Sequence, residues 1–240
     1  MRGWVVLALV LCLAGGAWAD ERDEQDYAVD DQGNLYRVRC DQAEVEKVGL
    51  IQVEGRTPTL WDIAATPDGF VYGIANDGLY LINVSDPSKS EKIGEHGISG
   101  CYGMTAVGMV LLVNTKDNRV VLVDRRTAEA TPLGVMGGSW AASGDIALVG
   151  EKLYSSVKDA AGRETLVQLD PQTGAATEVA PLTVGGRRIE NMYGLICRKG
   201  VLYGLTLDGD LLQIDEGSGI CRLLRKTGVT WYGATDCVRF

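Results

Sequence analysis

The chain has 240 residues, 46% of them hydrophobic, and 32 acidic side chains against 23 basic ones, for a formal net charge of −9. An acidic chain without a basic stripe lacks the electrostatic footprint of a nucleic-acid or anionic-lipid binder. No internal stretch approaches the roughly 18 consecutive apolar residues that would cross a bilayer.

Arg2 precedes an apolar run from Trp4 to Leu13, and Ala17-Trp18-Ala19 follows as a small-x-small cleavage pattern. Residues 1–19 therefore read as a signal peptide, and the mature protein as secreted or periplasmic, with no membrane insertion once the signal is removed. Residues 20–26 form an acidic lead-in that includes Asp20, Glu21, Asp23, Glu24 and Asp26. Residues 27–240 form a single domain.

The first strands of that domain are Tyr27–Val29, Leu35–Val38 and Val45–Val48. Four units of a common design follow. Each opens on a strand rich in small residues: Trp61–Ala65, Tyr102–Ala106, Gly144–Leu148 and Tyr193–Cys197. A turn such as Pro67-Asp68-Gly69 leads to a second strand, as in Phe70–Ile74 or Val201–Leu205. The third strand is a recurring phrase that begins at Asn34, Gly78, Arg119, Thr165 and Asp210, at spacings of 44, 41, 46 and 45 residues. Turns such as Asp170-Pro-Gln-Thr-Gly174 then lead to a polar fourth strand. A period of roughly 40–45 residues made of four short strands is the signature of a β-propeller blade. The chain ends on one further first strand, Tyr232–Asp236, which has no second. The N-terminal strands supply the missing three. The expected fold is thus an all-β, five-bladed propeller closed by pairing of the C-terminal strand with the N-terminal strands, with one apolar core shared by all five sheets.

The phrase Leu-Tyr-x-Ile-Asp-x-x-Thr-Gly with its Thr-x-x-Gly outer strand resembles the repeats of secreted bacterial β-propellers of the YncE-like, NHL and quinoprotein-like kinds, over residues 27–240. The resemblance implies architecture. It transfers no catalytic residue, because such repeats carry lectins, enzymes and scaffolds alike.

Aromatic residues recur where the chain enters the first strands: Trp61, Tyr102, Tyr193 and the pair Trp231-Tyr232, with Trp140 ahead of Gly144. They either ring the mouth of the central channel as a stacking surface or wedge adjacent blades together. The longest entry loop carries Glu190 and Asn191 and joins the same candidate ligand-binding face, since irregular loops on a rigid scaffold commonly carry function. The expected role is a binding module for a glycan or another exported protein, acting as a monomer. A second reading makes Asp62, Asp145 and Glu190 a carboxylate set for a small glycoside hydrolase or lyase. Against it stand the short loops, which leave little material for a deep substrate cleft, and the alternative that these carboxylates hydrogen-bond backbone groups around the axis. A third reading is a structural subunit of a surface assembly.

No metal site or cofactor is expected. His96 is the one histidine, and Cys-x-x-Cys does not occur. Asn83-Val84-Ser85 fits an N-glycosylation sequon. Among the cysteines left after removal of Cys12, the expected disulfide is Cys197–Cys237, with Cys40–Cys221 as a second pair and Cys101 left over. Buried apolar thiols are the alternative.

Overall fold

The computed structural model describes residues 25–236. The signal peptide, all of the lead-in before Gln25, and Cys237 fall outside them. The chain opens with β1 (Asp26–Asp30), β2 (Asn34–Arg39) and β3 (Glu44–Leu50). Blade 1 is β4 (Asp62–Ala65), β5 (Val71–Ala75), β6 (Gly78–Ile82) and β7 (Glu91–Gly94). Blade 2 is β8 (Cys101–Val107), β9 (Val110–Thr115), β10 (Arg119–Val123) and β11 (Ala130–Val135), and blade 3 is β12 (Ala141–Val149), β13 (Lys152–Lys158), β14 (Glu164–Leu169) and β15 (Ala176–Pro181). A small hairpin of β16 (Thr183–Val184) and β17 (Arg187–Arg188) precedes blade 4, which is β18 (Met192–Arg198), β19 (Val201–Thr206), β20 (Asp210–Ile214) and β21 (Ile220–Lys226). The last strand is β22 (Trp231–Thr235).

Each blade is an antiparallel meander, and β16 adds to the outer strand of blade 4 through a short parallel pairing. The fifth sheet has the order β22-β1-β2-β3. Tyr27, Ala28 and Val29 pair with Thr235, Ala234 and Gly233 on one side and with Arg37, Tyr36 and Leu35 on the other. The two ends of the chain therefore complete one blade. The inner strands β4, β8, β12, β18 and β22 touch in succession and close the ring, which leaves no broken blade edge to template association.

Repeat residues that carry no core weight build the turns. Asp124 Oδ1 accepts from the backbone N–H of Arg126 and Thr127, Asp170 Oδ1 from Gln172 and Thr173, and Asp215 Oδ1 from Ser218. Asn83 takes the same place in blade 1, and its Oδ1 accepts from Ser85 and Asp86. These are Asx turns, and they explain why the third strand ends on Asp or Asn in four repeats.

The core differs from the shared one expected. It is divided into five clusters, one at each blade boundary. Strand side chains alternate between the two faces of a blade, so each face packs on a different neighbour. The aligned third-strand residues Leu79 and Tyr80 show this: Leu79 belongs to the cluster with blade 2 and Tyr80 to the cluster with blade 5. The cysteines follow the same logic. Cys40 sits in the cluster between blades 4 and 5, and Cys221 in the cluster between blades 3 and 4. Both are free thiols, as are Cys101 and Cys197 among the described residues. The Cys40–Cys221 pair is thus overturned, since their side chains serve different boundaries. The partner expected for Cys197, Cys237, lies outside the described residues.

Candidate functional site

The inner strands begin on aligned residues: Trp61, Tyr102, Gly144, Tyr193 and Tyr232, followed by Asp62, Gly103, Asp145, Gly194 and Gly233. In blades 2, 4 and 5 the first of these is the extra residue of a β-bulge. Pairing steps from Cys101↔Thr115 to Gly103↔Asn114, from Met192↔Thr206 to Gly194↔Leu205, and from Trp231↔Asp30 to Gly233↔Val29. A bulge re-aims one side chain and bends its strand. Here it turns Tyr102, Tyr193 and Tyr232 toward the face where the inner strands start and leaves the next residue directed at the axis.

The axis is closed by two carboxyl groups. Asp62 and Asp145 are both wholly buried. Asp62 Oδ1 accepts from the N–H of Ile63 (2.7 Å) and Ala234 (3.1 Å), and Oδ2 from Met104 (2.6 Å). Asp145 accepts from Ile146 (2.5 Å) and, through Oδ2, from Leu195 (2.7 Å). These five donors belong to the five inner strands, one each. Two acids therefore satisfy a complete ring of inward-facing N–H groups that would otherwise be orphaned. The carboxyls also hydrogen-bond each other, and burial drives both well above the ordinary carboxylate range. Two buried like charges in contact share a proton rather than both ionise. The space is then full: a Cβ on Gly103 would overlap the backbone of Gly144 and Asp145, and one on Gly233 would overlap Asp62. Two aspartates and three glycines is the occupancy the axis admits.

Above this plug lies an aromatic ledge. Trp61 and Tyr232 stack at 5.7 Å with rings 5° from parallel. Tyr102 meets Trp61 edge-on at 6.3 Å, and Tyr193 meets Tyr232 edge-on at 6.2 Å. All four side chains are partly exposed. Blade 3 adds no aromatic residue to the ledge at this position: Gly144 is buried, and a Cβ there would overlap Met192 O and Ser156 Oγ. The ledge is bordered on this side by Lys158, whose Nζ donates to Asn191 Oδ1 at 2.9 Å and lies 5.7 Å from the Tyr193 ring centroid. Beneath it Glu164 is buried, with Oε2 accepting from the Ser143 hydroxyl (2.7 Å) and Oε1 from Met192 N–H (3.2 Å). Burial pushes Glu164 up to about 7, against these hydrogen bonds and the opposing pull of Lys158 and Arg188.

The structure thus brings Trp61, Tyr102, Tyr193, Tyr232 and Asn191 to one face. Trp231 is not on it. It is fully buried between blades 4 and 5, edge-on to Tyr36 at 5.1 Å, with its indole N–H donated to Thr227 Oγ1 at 3.0 Å. The reason is alternation: it directly precedes the bulged Tyr232 and points the other way. Trp140 packs against the core between blades 2 and 3 and makes no ring contact with the ledge among the described residues. Glu190 is exposed on its loop and does not join the axial pair. His96 is buried, donating from Nε2 to Ala75 O while Nδ1 accepts from Ile98 N–H.

Sequence reasoning passed over Lys158, Ser143 and Glu164. Glu164 stands one place before the third-strand phrase, where the other repeats have Gly33, Asp77, Asn118 or Gly209, so it reads as an ordinary polar turn residue. Asn114, fully buried, was missed for the same reason; its amide links Gly103 N–H to Gly144 O and Ser155 Oγ. Two small clefts are lined by none of the ledge residues, one of about 200 Å³ at Asp30–Gly33 and Thr57–Leu60 and one of about 310 Å³ beside Phe70 and Val84.

No protein-family description and no curated protein matches this sequence. Many solved structures share its fold. A chain from a nidogen–laminin complex superposes with a TM-score of 0.62 at 11% identity, covering 91% of this chain and 100% of the other. Glutaminyl cyclase of Myxococcus xanthus does so at 0.51 and 15% identity, over 88% and 74% of the two chains. An auxiliary nutrient-binding protein of Bacteroides thetaiotaomicron gives 0.52 at 14% identity, over 88% and 61%. At these identities the likeness concerns the β-propeller fold.

Proposed function

We propose that this protein is an exported binding module that holds a glycan or another exported protein against its aromatic ledge. The observation that carries this reading is the ledge itself: four partly exposed aromatic rings in continuous contact, over a closed axis, on the face where the inner strands begin. Trp61 and Tyr232 present partly exposed aromatic rings, the kind of surface that stacks on sugar rings or on aromatic and proline side chains. Their rigidity limits the entropy lost on binding. The nutrient-binding propeller named above makes a binding role a reasonable use of the fold, and the leader read in residues 1–19 supports export.

The hydrolase reading gains less support. Asp62 and Asp145 lie beneath the ledge with their oxygens engaged by strand N–H groups and by each other. A carboxyl acting on a glycosidic bond must reach the substrate oxygen or anomeric carbon.

The test is a glycan array together with a panel of exported proteins from the host, followed by titration of each hit using intrinsic tryptophan fluorescence. Trp61→Ala should weaken binding by about tenfold, from roughly 0.5–1.5 kcal/mol of stacking plus lost area, while the melting temperature changes little. A ligand that binds Trp61→Ala and Tyr232→Ala as tightly as the native chain would remove the ledge from the function.

A further inference from the structure

A half-buried lysine borders the blade 3 end of the ledge. At the same ends of the blades, Arg119 pairs with Asp117 (2.7 Å), Arg163 and Arg188 pair with Asp159 (3.1 and 3.5 Å), and Lys226 pairs with Asp210 (3.7 Å). Lys158 makes no ion pair among the described residues. Its ammonium is held by neutral partners, the Asn191 amide and the face of Tyr193, at the lip of the aromatic surface. Fixing a half-buried ammonium costs side-chain entropy and hydration, and the cation–π contact returns only part of that cost. Blade 3 cannot carry an aromatic side chain at Gly144, so the row of rings ends at Tyr193, next to this ammonium. Glu164, the acid that feels Lys158, has both oxygens engaged below the surface.

We propose that the ledge selects a saccharide bearing a carboxylate, with Tyr193 and Tyr232 stacking on the sugar and Lys158 pairing with its acid where the row of rings ends. This narrows the glycan form of the function above and rests on it. A carboxylate displaces nothing built into the fold here: it supplies the missing counter-ion of Lys158. An ammonium is also the right group for a ring carboxylate reached from one side, since it donates as a point charge and needs no bidentate alignment. Asn191, beside Lys158, offers its amide to a neighbouring sugar hydroxyl.

The experiment is calorimetric titration of the mature chain with a panel of uronate oligosaccharides, their fully methyl-esterified forms, and hexaglutamate. The proposal expects at least one uronate to bind about tenfold tighter than its ester, with the preference weakening as salt is raised. Lys158→Gln should bring acid and ester to equal affinity, and Lys158→Arg should keep the preference. Thermal melts of the variants establish that both are folded. Equal binding of acid and ester that is still lost in Trp61→Ala would overturn the charge assignment and leave the ledge intact. A preference that survives Lys158→Gln, or hexaglutamate binding in place of every sugar, would overturn it as well. Failure of every saccharide, charged or neutral, would overturn the glycan reading and this inference with it.

Discussion

Replacing Asp62 by alanine separates a structural axis from a catalytic one. Asp62 accepts three backbone hydrogen bonds, from Ile63, Met104 and Ala234, in a wholly buried position. Removing the carboxyl orphans three N–H groups on the inner strands of blades 1, 2 and 5. Each buried unsatisfied donor costs about 1–3 kcal/mol, so the loss should reach about 3–6 kcal/mol after local relaxation. A domain of this size loses about 2–4 °C of melting temperature per kcal/mol, so the melt should fall by about 6–24 °C. Asparagine is not a neutral replacement either. Both oxygens of Asp62 accept, and the amide nitrogen of Asp62→Asn would confront an N–H donor, for a smaller loss of about 1–3 kcal/mol. Urea unfolding of the two variants and the native chain, followed by tryptophan fluorescence, reads these differences. A stability change below about 1 kcal/mol for Asp62→Ala would refute the reasoning. The hydrolase reading expects the contrary pattern, with Asp62→Asn stable and inactive.

Stability should rise as the solution is made mildly acidic. Burial raises Glu164 to about 7, Asp26 to about 7 and Asp236 to about 6, and it raises the axial pair as well. Groups raised in the folded state contribute stability that is fully present below their unfolded values and is lost as pH climbs through the folded ones. The turn acids Asp124, Asp159 and Asp215 are held low by hydrogen bonds in their turns and act in the opposite sense at lower pH. The melting temperature should therefore be higher at about pH 5 than at about pH 8 and fall again below about pH 4; a flat or rising profile from pH 5 to 8 would contradict this. Trp231→Ala should cost about 3–5 kcal/mol, as expected for a fully buried aromatic residue, and any ligand should still bind at temperatures where the variant is folded. Weakened binding with an unchanged melt would return Trp231 to the ledge.

The blades were legible because the physics that builds them is local. A strand of Leu, Tyr and Val closed by an Asp that caps its own turn needs no distant information, and it recurs at a fixed spacing. Closure was legible by subtraction: β22 lacks a second strand and β1–β3 lack a first. The partition of the core into five boundaries was less visible, because alternation along a strand says that two faces exist without naming the neighbour each will meet. Cys40 and Cys221 illustrate the limit. Both follow third strands of adjacent blades, yet they serve different clusters.

The site was half legible for a reason set by one residue of register. Tyr102, Tyr193 and Tyr232 reach the ledge because each is the extra residue of a bulge, and a bulge leaves only a faint trace in sequence, here the glycine that follows. Trp231 stands one place earlier and is carried into the core. Asp62 and Asp145 align with those glycines, so an axis-facing position could be read from the repeats. What the repeats do not state is that one acid reaches strands on both its flanks. That follows only when five strands converge, and it makes the pair an answer to a demand of the fold: five inward N–H groups in a wholly buried space. Lys158 is the inverse case. No backbone group requires it, its counter-ion is missing, and no repeat position predicts it. A charge the fold does not need, held at the end of an aromatic surface, is the residue to mutate first when a ligand is sought.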